Sequence, residues 1–186
     1  GFLALKNNHQ PGEENGDFFP NVDWDRTQAY ALGLGGIFLN MRQREANGIV
    51  TSQDAPKLAE AIKSGLTGLR DTDNGKVAVT RVSHRDELYQ GPYTAEAPEL
   101  WVNFNAGYRV SWGTPLGGIP VDIFEDNTKR WGGDHVIDPT LVPGVLFMNQ
   151  PFTSSKPIGL ADLAPTILGA LGIERVPAMQ GEDLLR

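Results

Sequence analysis

The composition of this chain of 186 residues excludes several functional classes before any motif is considered. Lys and Arg number 16 against 23 Asp and Glu, giving a formal charge of -7. A nucleic-acid polymer is therefore not an expected partner, since phosphate contacts need clustered Lys and Arg. The absence of cysteine excludes disulfides, thiolate metal sites and cysteine nucleophiles. No apolar run approaches the roughly 20 residues that a membrane-spanning helix needs, so no membrane segment is expected.

The first half of the chain predicts two short strands, a helix and a further strand. Residues 29–32 and 37–39 are apolar and flank a glycine-rich turn, which favours strands. Residues 52–69 predict the clearest helix, because apolar side chains repeat along them at helical spacing. A valine-rich run over residues 77–82 follows, and a helix followed by a strand suggests an α/β or α+β unit. The apolar face of the predicted helix comprises Leu58, Ala59, Ile62, Leu66 and Leu69.

The second half predicts three more strands and a second helix. Residues 100–104 and 108–112 are strand candidates joined by a short turn. Residues 145–148 are continuously apolar, as expected for a strand that is buried on both faces of a sheet. The last helix is expected between Asp162 and Gly172.

One segment, WGGDHVIDPTLVPGVLFMNQPF over residues 131–152, suggests catalytic chemistry. His135 follows a glycine pair and an aspartate in a loop that feeds the apolar run, where an α/β enzyme could place a metal ligand. Its neutral imidazole could bind Zn or a related metal, and Asp134 could be a ligand or orient the imidazole. His9 and His84 lie in polar segments without ligand spacing to His135. The residues alone therefore leave a histidine satisfied within a turn as the alternative.

The same segment, followed by PIGLADLAPTILGALGIERVPAMQGEDLL over residues 157–185, resembles the C-terminal end of the alkaline phosphatase superfamily. The nearest branch is that of the type I phosphodiesterase/nucleotide pyrophosphatase-like proteins. The segment over residues 24–50, which begins WDRTQAYALGLGGIFLNMRQRE and ends GIV, also resembles the one that this family places after its Asp-His-Gly metal motif. The likeness is specific at the C-terminal end and softer over residues 71–130. It implies an α/β, alkaline phosphatase-like three-layer sandwich, of which residues 1–186 would be the C-terminal part of one catalytic domain.

The resemblance also implies a chemistry. His135 matches the family's late metal-binding histidine, and two divalent metal ions, most often Zn with Mn or another divalent ion as alternatives, would serve hydrolysis of a small phosphate ester. The family's hydroxyl nucleophile and its other metal ligands match nothing in the chain and are expected upstream, so the chain alone is expected to be inactive. Thr166 falls within the helix motif and matches a structural threonine, not the nucleophile.

Two alternatives stay open. The intact protein could be another hydrolase of the superfamily, such as a phosphomonoesterase, a sulfatase or a phosphonate hydrolase. It could also be a non-catalytic binding domain that keeps the fold without the site.

Several other polar side chains have simple structural interpretations. Asp134 and Asp138 are expected chiefly as turn formers. Arg44 could meet a substrate phosphate, but an ion pair is the simpler expectation. Arg109 could reach a substrate-facing loop, although packing of the neighbouring aromatic residues explains its segment. The acidic patch Glu-Asp-Asn over residues 125–127 suits a solvated loop and lacks the spacing of a calcium-binding loop.

Overall fold

The computed structural model describes residues 1–6, 11–12, 18–134 and 136–185, and its architecture is mixed α/β. His9 and His135 therefore lie outside the described residues. The chain divides into two compact units, Gly1–Pro143 and Gly144–Arg186.

The first unit is built on a four-stranded antiparallel sheet with strand order β1-β2-β4-β3. β1 and β2 form a hairpin in which Ala29 pairs with Leu39. Gly33 in the connecting turn has φ +75°, a left-handed conformation that glycine adopts without strain. β3 and β4 form the other half of the sheet, with Val82 paired to Val102. The strands are β1 Ala29–Leu32, β2 Gly36–Leu39, β3 Val79–His84 and β4 Leu100–Phe104.

Two α-helices of the first unit, α1 Ala55–Leu66 and α2 Arg85–Leu88, accompany this sheet. α1 begins with a proline in its first turn, where a missing amide hydrogen costs nothing. It buries Ala59 and Ile62, and these side chains join the sheet residues in one apolar core. The sheet contributes Ala29, Leu39, Val79, Val82, Leu100 and Val102 to that core. Among all the described residues, no helix combines the length and the apolar character needed to cross a bilayer.

The second unit contains helix α3, Leu163–Ala170, preceded by a 3₁₀ turn at Leu160–Asp162. The Asp162 carboxylate accepts hydrogen bonds from the amides of Gly159 (2.8 Å) and Glu182 (2.8 Å). The Thr166 hydroxyl donates to the carbonyl of Asp162 (2.5 Å) and accepts from the amide of Leu184 (3.0 Å). These bonds hold the C-terminal segment of the chain against the start of α3.

Two predicted strands are wrong. Residues 145–148 form no strand, and Val145 and Phe147 are 84% and 90% exposed. A strand buried on both faces needs neighbouring strands, and the described residues of the second unit contain none. Residues 108–112 also lie outside the sheet. Their polar side chains make contacts with loops: the Tyr108 hydroxyl bonds Asp71, and Arg109 pairs with Asp134.

Candidate functional site

The predicted metal ligand, His135, lies outside the described residues. Its described neighbours along the chain include Asp134, Val136 and Asp138. Asp134 is largely buried, with its side chain 10% exposed. Its Oδ1 accepts a hydrogen bond from the amide of Val136 at 3.2 Å, the contact of an aspartate that closes a turn. Its Oδ2 lies 3.0 Å from Nε of Arg109. A role for Asp134 in orienting the imidazole of His135 stays a prediction.

Arg109 connects Asp134 to an aromatic side chain. Its guanidinium carbon lies 3.9 Å from the centroid of the Trp112 ring, a cation–π contact. The indole Nε1 of Trp112 donates to Oδ1 of Asn127 at 3.2 Å. The side-chain amide of Asn127 in turn donates to the carbonyl of Trp131 at 2.6 Å. The residues that precede position 135 are thus held at Trp131 and again at Asp134.

Asp138, which follows residue 135 in the chain, is hydrogen-bonded to the sheet. Its carboxylate accepts hydrogen bonds from the Thr80 hydroxyl (2.6 Å) and from Nε of Arg81 (3.1 Å), both in β3. It also caps the 3₁₀ turn Pro139–Leu141 by accepting the amide hydrogen of Thr140 at 3.0 Å. Its own amide donates to the carbonyl of Phe104, the last residue of β4, at 2.9 Å. The predicted turn residue is therefore also a buried anchor, only 2% exposed.

The environment of Asp138 favours its charged form. Burial alone raises the pKa of a carboxyl group, because it disfavours the anion. The hydrogen bonds from Arg81, Thr80 and Thr140 outweigh burial and hold the pKa of Asp138 well below its usual range. Asp138 is consequently a structural carboxylate whose charge is satisfied by its partners.

A groove of about 690 Å³ in the first unit adjoins the Arg109 side chain. Tyr108, Trp112 and Phe124 contribute aromatic surface to it. Its acidic members are Asp71, Asp73, Glu125 and Asp126. Asp71 is engaged internally: hydrogen bonds from the amide of Asp73 and from the Tyr108 hydroxyl lower its pKa. Residues 125–127 are exposed, in agreement with the expected solvated loop.

A second buried carboxylate, Glu99, was not anticipated from the sequence. It is 4% exposed and accepts hydrogen bonds from Arg44 (2.5 Å), Arg85 (2.9 Å) and the amide of Leu39 (2.8 Å). Arg44 also pairs with Glu45 at 2.8 Å, so its guanidinium is occupied by ion pairs. The available sequence signal is a lone glutamate directly before an apolar strand, where a buried charge requires a cationic partner.

The described residues do not form a metal site by themselves. Among them, no group of three His, Asp or Glu side chains lies close enough to hold a metal ion together. The Asp134 carboxylate accepts a hydrogen bond from the amide of Val136 and lies 3.0 Å from Nε of Arg109. The described part of the chain would need donors from elsewhere to hold a metal ion.

The resemblance to the alkaline phosphatase superfamily rests on the sequence motifs alone. Comparisons of the chain with models of protein families, with curated proteins and with solved structures find no match in any of the three.

Proposed function

We propose that this chain belongs to a metal-dependent hydrolase of phosphoric esters, of the phosphodiesterase/nucleotide pyrophosphatase type. In this proposal His135 supplies one ligand to one of two divalent metal ions, with Zn the first choice. The observation that carries the proposal is the order of motifs: Gly-Gly-Asp-His, an apolar run, and then the Asp-x-x-Pro-Thr-Ile-Leu helix beginning at Asp162. An alkaline phosphatase-like sandwich is part of the same proposal.

The geometry around the motif supports this function because a metal ligand needs a fixed backbone. Catalytic groups work when surrounding contacts hold them close to the productive geometry. Asp134 is held by Arg109, and Asp138 is held by β3 and by the end of β4. The segment that carries residue 135 is therefore attached on both sides to other parts of the first unit.

The chain's own contribution follows from this arrangement. An imidazole must be neutral to bind a metal ion, so metal binding through a histidine competes with protons. In enzymes of this class the bound ions polarise the phosphoryl oxygens and activate the attacking hydroxyl. The described residues do not bring the required donors together, and in this proposal the remaining ligands and the nucleophile come from outside the described residues.

The deciding experiment compares His135→Ala with His84→Ala in the longest natural polypeptide that contains this sequence. Zinc content and hydrolysis of bis(p-nitrophenyl) phosphate are measured for both variants. We expect His135→Ala to lose bound zinc and at least about 100-fold in activity, since even the outer partners of a metal ligand are worth 10- to 100-fold. His84, at the end of β3, serves as the control and should leave both quantities unchanged. If bound metal and activity both survive in His135→Ala, the proposal is wrong.

A substrate panel on the same protein separates the members of the superfamily. Phosphodiesters should be hydrolysed in preference to phosphomonoesters, sulfate esters and phosphonates. Preference for one of those other esters would keep the metal-dependent hydrolysis but reassign the substrate. The 186-residue chain alone should show no turnover with any of them.

A further inference from the structure

We propose that Arg109 is a positioning residue that holds the backbone on the two sides of residue 135, acting through Asp134. Arg109, Trp112 and Asp134 are called the Arg109 clamp below. The importance of this clamp for catalysis rests on the function proposed above, but its existence as a structural device can be measured separately.

The ion pair between Arg109 and Asp134 is largely buried. The side chains of Arg109 and Asp134 are only 17% and 10% exposed, and Nε lies 3.0 Å from Oδ2. Exposed ion pairs contribute little because water screens them. This pair is mostly withdrawn from water, and the Trp112 ring 3.9 Å from the guanidinium carbon covers the cation further. A planar guanidinium can stack on a ring and bond a carboxylate at once, which an ammonium group cannot do equally well.

The clamp is hydrogen-bonded to the backbone on both sides of residue 135. The Asp134 carboxylate uses its other oxygen to accept the amide hydrogen of Val136, so this bond spans position 135 in the chain. On the opposite side of the clamp, Trp112 bonds Asn127, which bonds the carbonyl of Trp131. One cluster therefore controls the backbone at residues 131, 134 and 136.

The contacts of the Arg109 guanidinium favour positioning over direct contact with substrate. The groove that Arg109 adjoins could admit a ligand, but Nε of Arg109 already faces Asp134 and the carbonyl of Val110 at 3.1 Å. A phosphate that took this guanidinium would have to displace its existing contacts with Asp134 and with the carbonyl of Val110. The geometry thus favours a role in which Arg109 acts through Asp134.

The structural test is backbone amide hydrogen exchange in the longest natural polypeptide that contains this sequence. The variants are Arg109→Ala, Arg109→Lys and Asp134→Asn, with Lys129→Ala as the control for removing a cation from the same groove. We expect exchange of the Val136 amide, which donates to Oδ1 of Asp134, to accelerate at least about tenfold in Arg109→Ala and Asp134→Asn, and less in Arg109→Lys. The control and the amides of β3 and β4 should keep their original rates. Unchanged exchange of the Val136 amide in Arg109→Ala overturns the clamp. A variant that unfolds reveals itself by exchange throughout β3 and β4, and Arg109→Lys then decides the outcome.

The functional test measures phosphodiester hydrolysis by the same variants beside His135→Ala. Misplacement of a catalytic group by about 1 Å costs on the order of 100-fold. We therefore expect kcat to fall about 10- to 100-fold in Arg109→Ala, with KM changed less than about threefold and Arg109→Lys intermediate. A raised KM with unchanged kcat would make Arg109 a substrate contact and overturn positioning. Full activity in Arg109→Ala with an inactive His135→Ala would also overturn positioning, while the proposed function would stand. Full activity in His135→Ala would remove the proposed function, and the exchange rates would still decide whether the clamp exists.

Discussion

At the scale of single residues, Asp138 is a buried carboxylate whose partners come from different parts of the chain. Removing it in Asp138→Ala leaves Arg81 without this carboxylate and leaves the Thr80 hydroxyl only the carbonyl of Asn103, at 3.0 Å, as acceptor. Breaking a buried pair costs about 3–5 kcal/mol, but Arg81 is 43% exposed and can be partly rehydrated. We expect a loss of about 2–3 kcal/mol in the free energy of unfolding, measured by urea denaturation, and about half of that for the isosteric Asp138→Asn. A loss below about 0.5 kcal/mol in Asp138→Ala would show that the anchor is not structural.

The same carboxylate predicts how stability depends on pH. The pKa of Asp138 is lower in the folded protein than the value near 3.9 of an unfolded aspartate. A group of this kind stabilises the fold above its unfolded pKa, and that contribution is lost as the pH falls through the folded pKa. The free energy of unfolding should therefore decrease from about pH 5 downward. Asp138→Asn should show a shallower decrease than the original chain, because its side chain does not titrate. Parallel curves for the two proteins would contradict this assignment.

At the scale of elements, local pattern was sufficient where an element buries its own apolar face. The strands predicted at residues 29–32 and 100–104 have the observed bounds, and the helix predicted over 52–69 contains α1. The strand predicted at residues 145–148 is wrong, because a continuous apolar stretch forms a buried strand only where neighbouring strands are present. Residues 108–112 alternate like a strand, but their side chains engage loops instead of a sheet.

The candidate site was predictable only in part for the same reason. His135 and Asp134 were found from a short contiguous motif. Arg109 and Trp112 lie far from them along the chain, and pairing of this kind leaves no local signal in one sequence. The buried Glu99 depends likewise on Arg44 and Arg85, which arrive from separate segments. A local motif thus suggested the candidate segment, and the fold was needed to identify the contacts of Asp134 and Asp138.

Two glycines near the end of α1 allow a matched test of backbone conformation at the element scale. A Cβ placed on either Gly65 or Gly68 would meet no atom within 4 Å. Gly65 lies inside the helix, whereas Gly68 follows it with φ +77°. Gly65→Ala should raise the free energy of unfolding by about 0.5–1 kcal/mol through helix propensity. Gly68→Ala should lower it by about 1 kcal/mol, since alanine is strained in the left-handed region. Equal effects in thermal or urea unfolding would refute the conformational explanation.

At the scale of the whole molecule, charge and apolar exposure oppose each other. The formal charge of -7 favours solubility through repulsion between copies. The second unit nevertheless exposes several large apolar side chains, and contiguous apolar surface promotes association. The most exposed of these are Val145 (84%), Phe147 (90%), Leu160 (87%) and Leu171 (67%).

This opposition predicts self-association that salt strengthens. The purified 186-residue chain should show a concentration-dependent mass in light scattering, and added salt should increase it by screening the net charge. The double variant Val145→Asn/Phe147→Asn should reduce the association at least about tenfold, because it replaces two exposed apolar side chains with polar ones. Val121→Asn is the matched control: Val121 is 69% exposed but belongs to the first unit. If the control weakens association as much as the double variant does, the apolar surface of the second unit is not its cause.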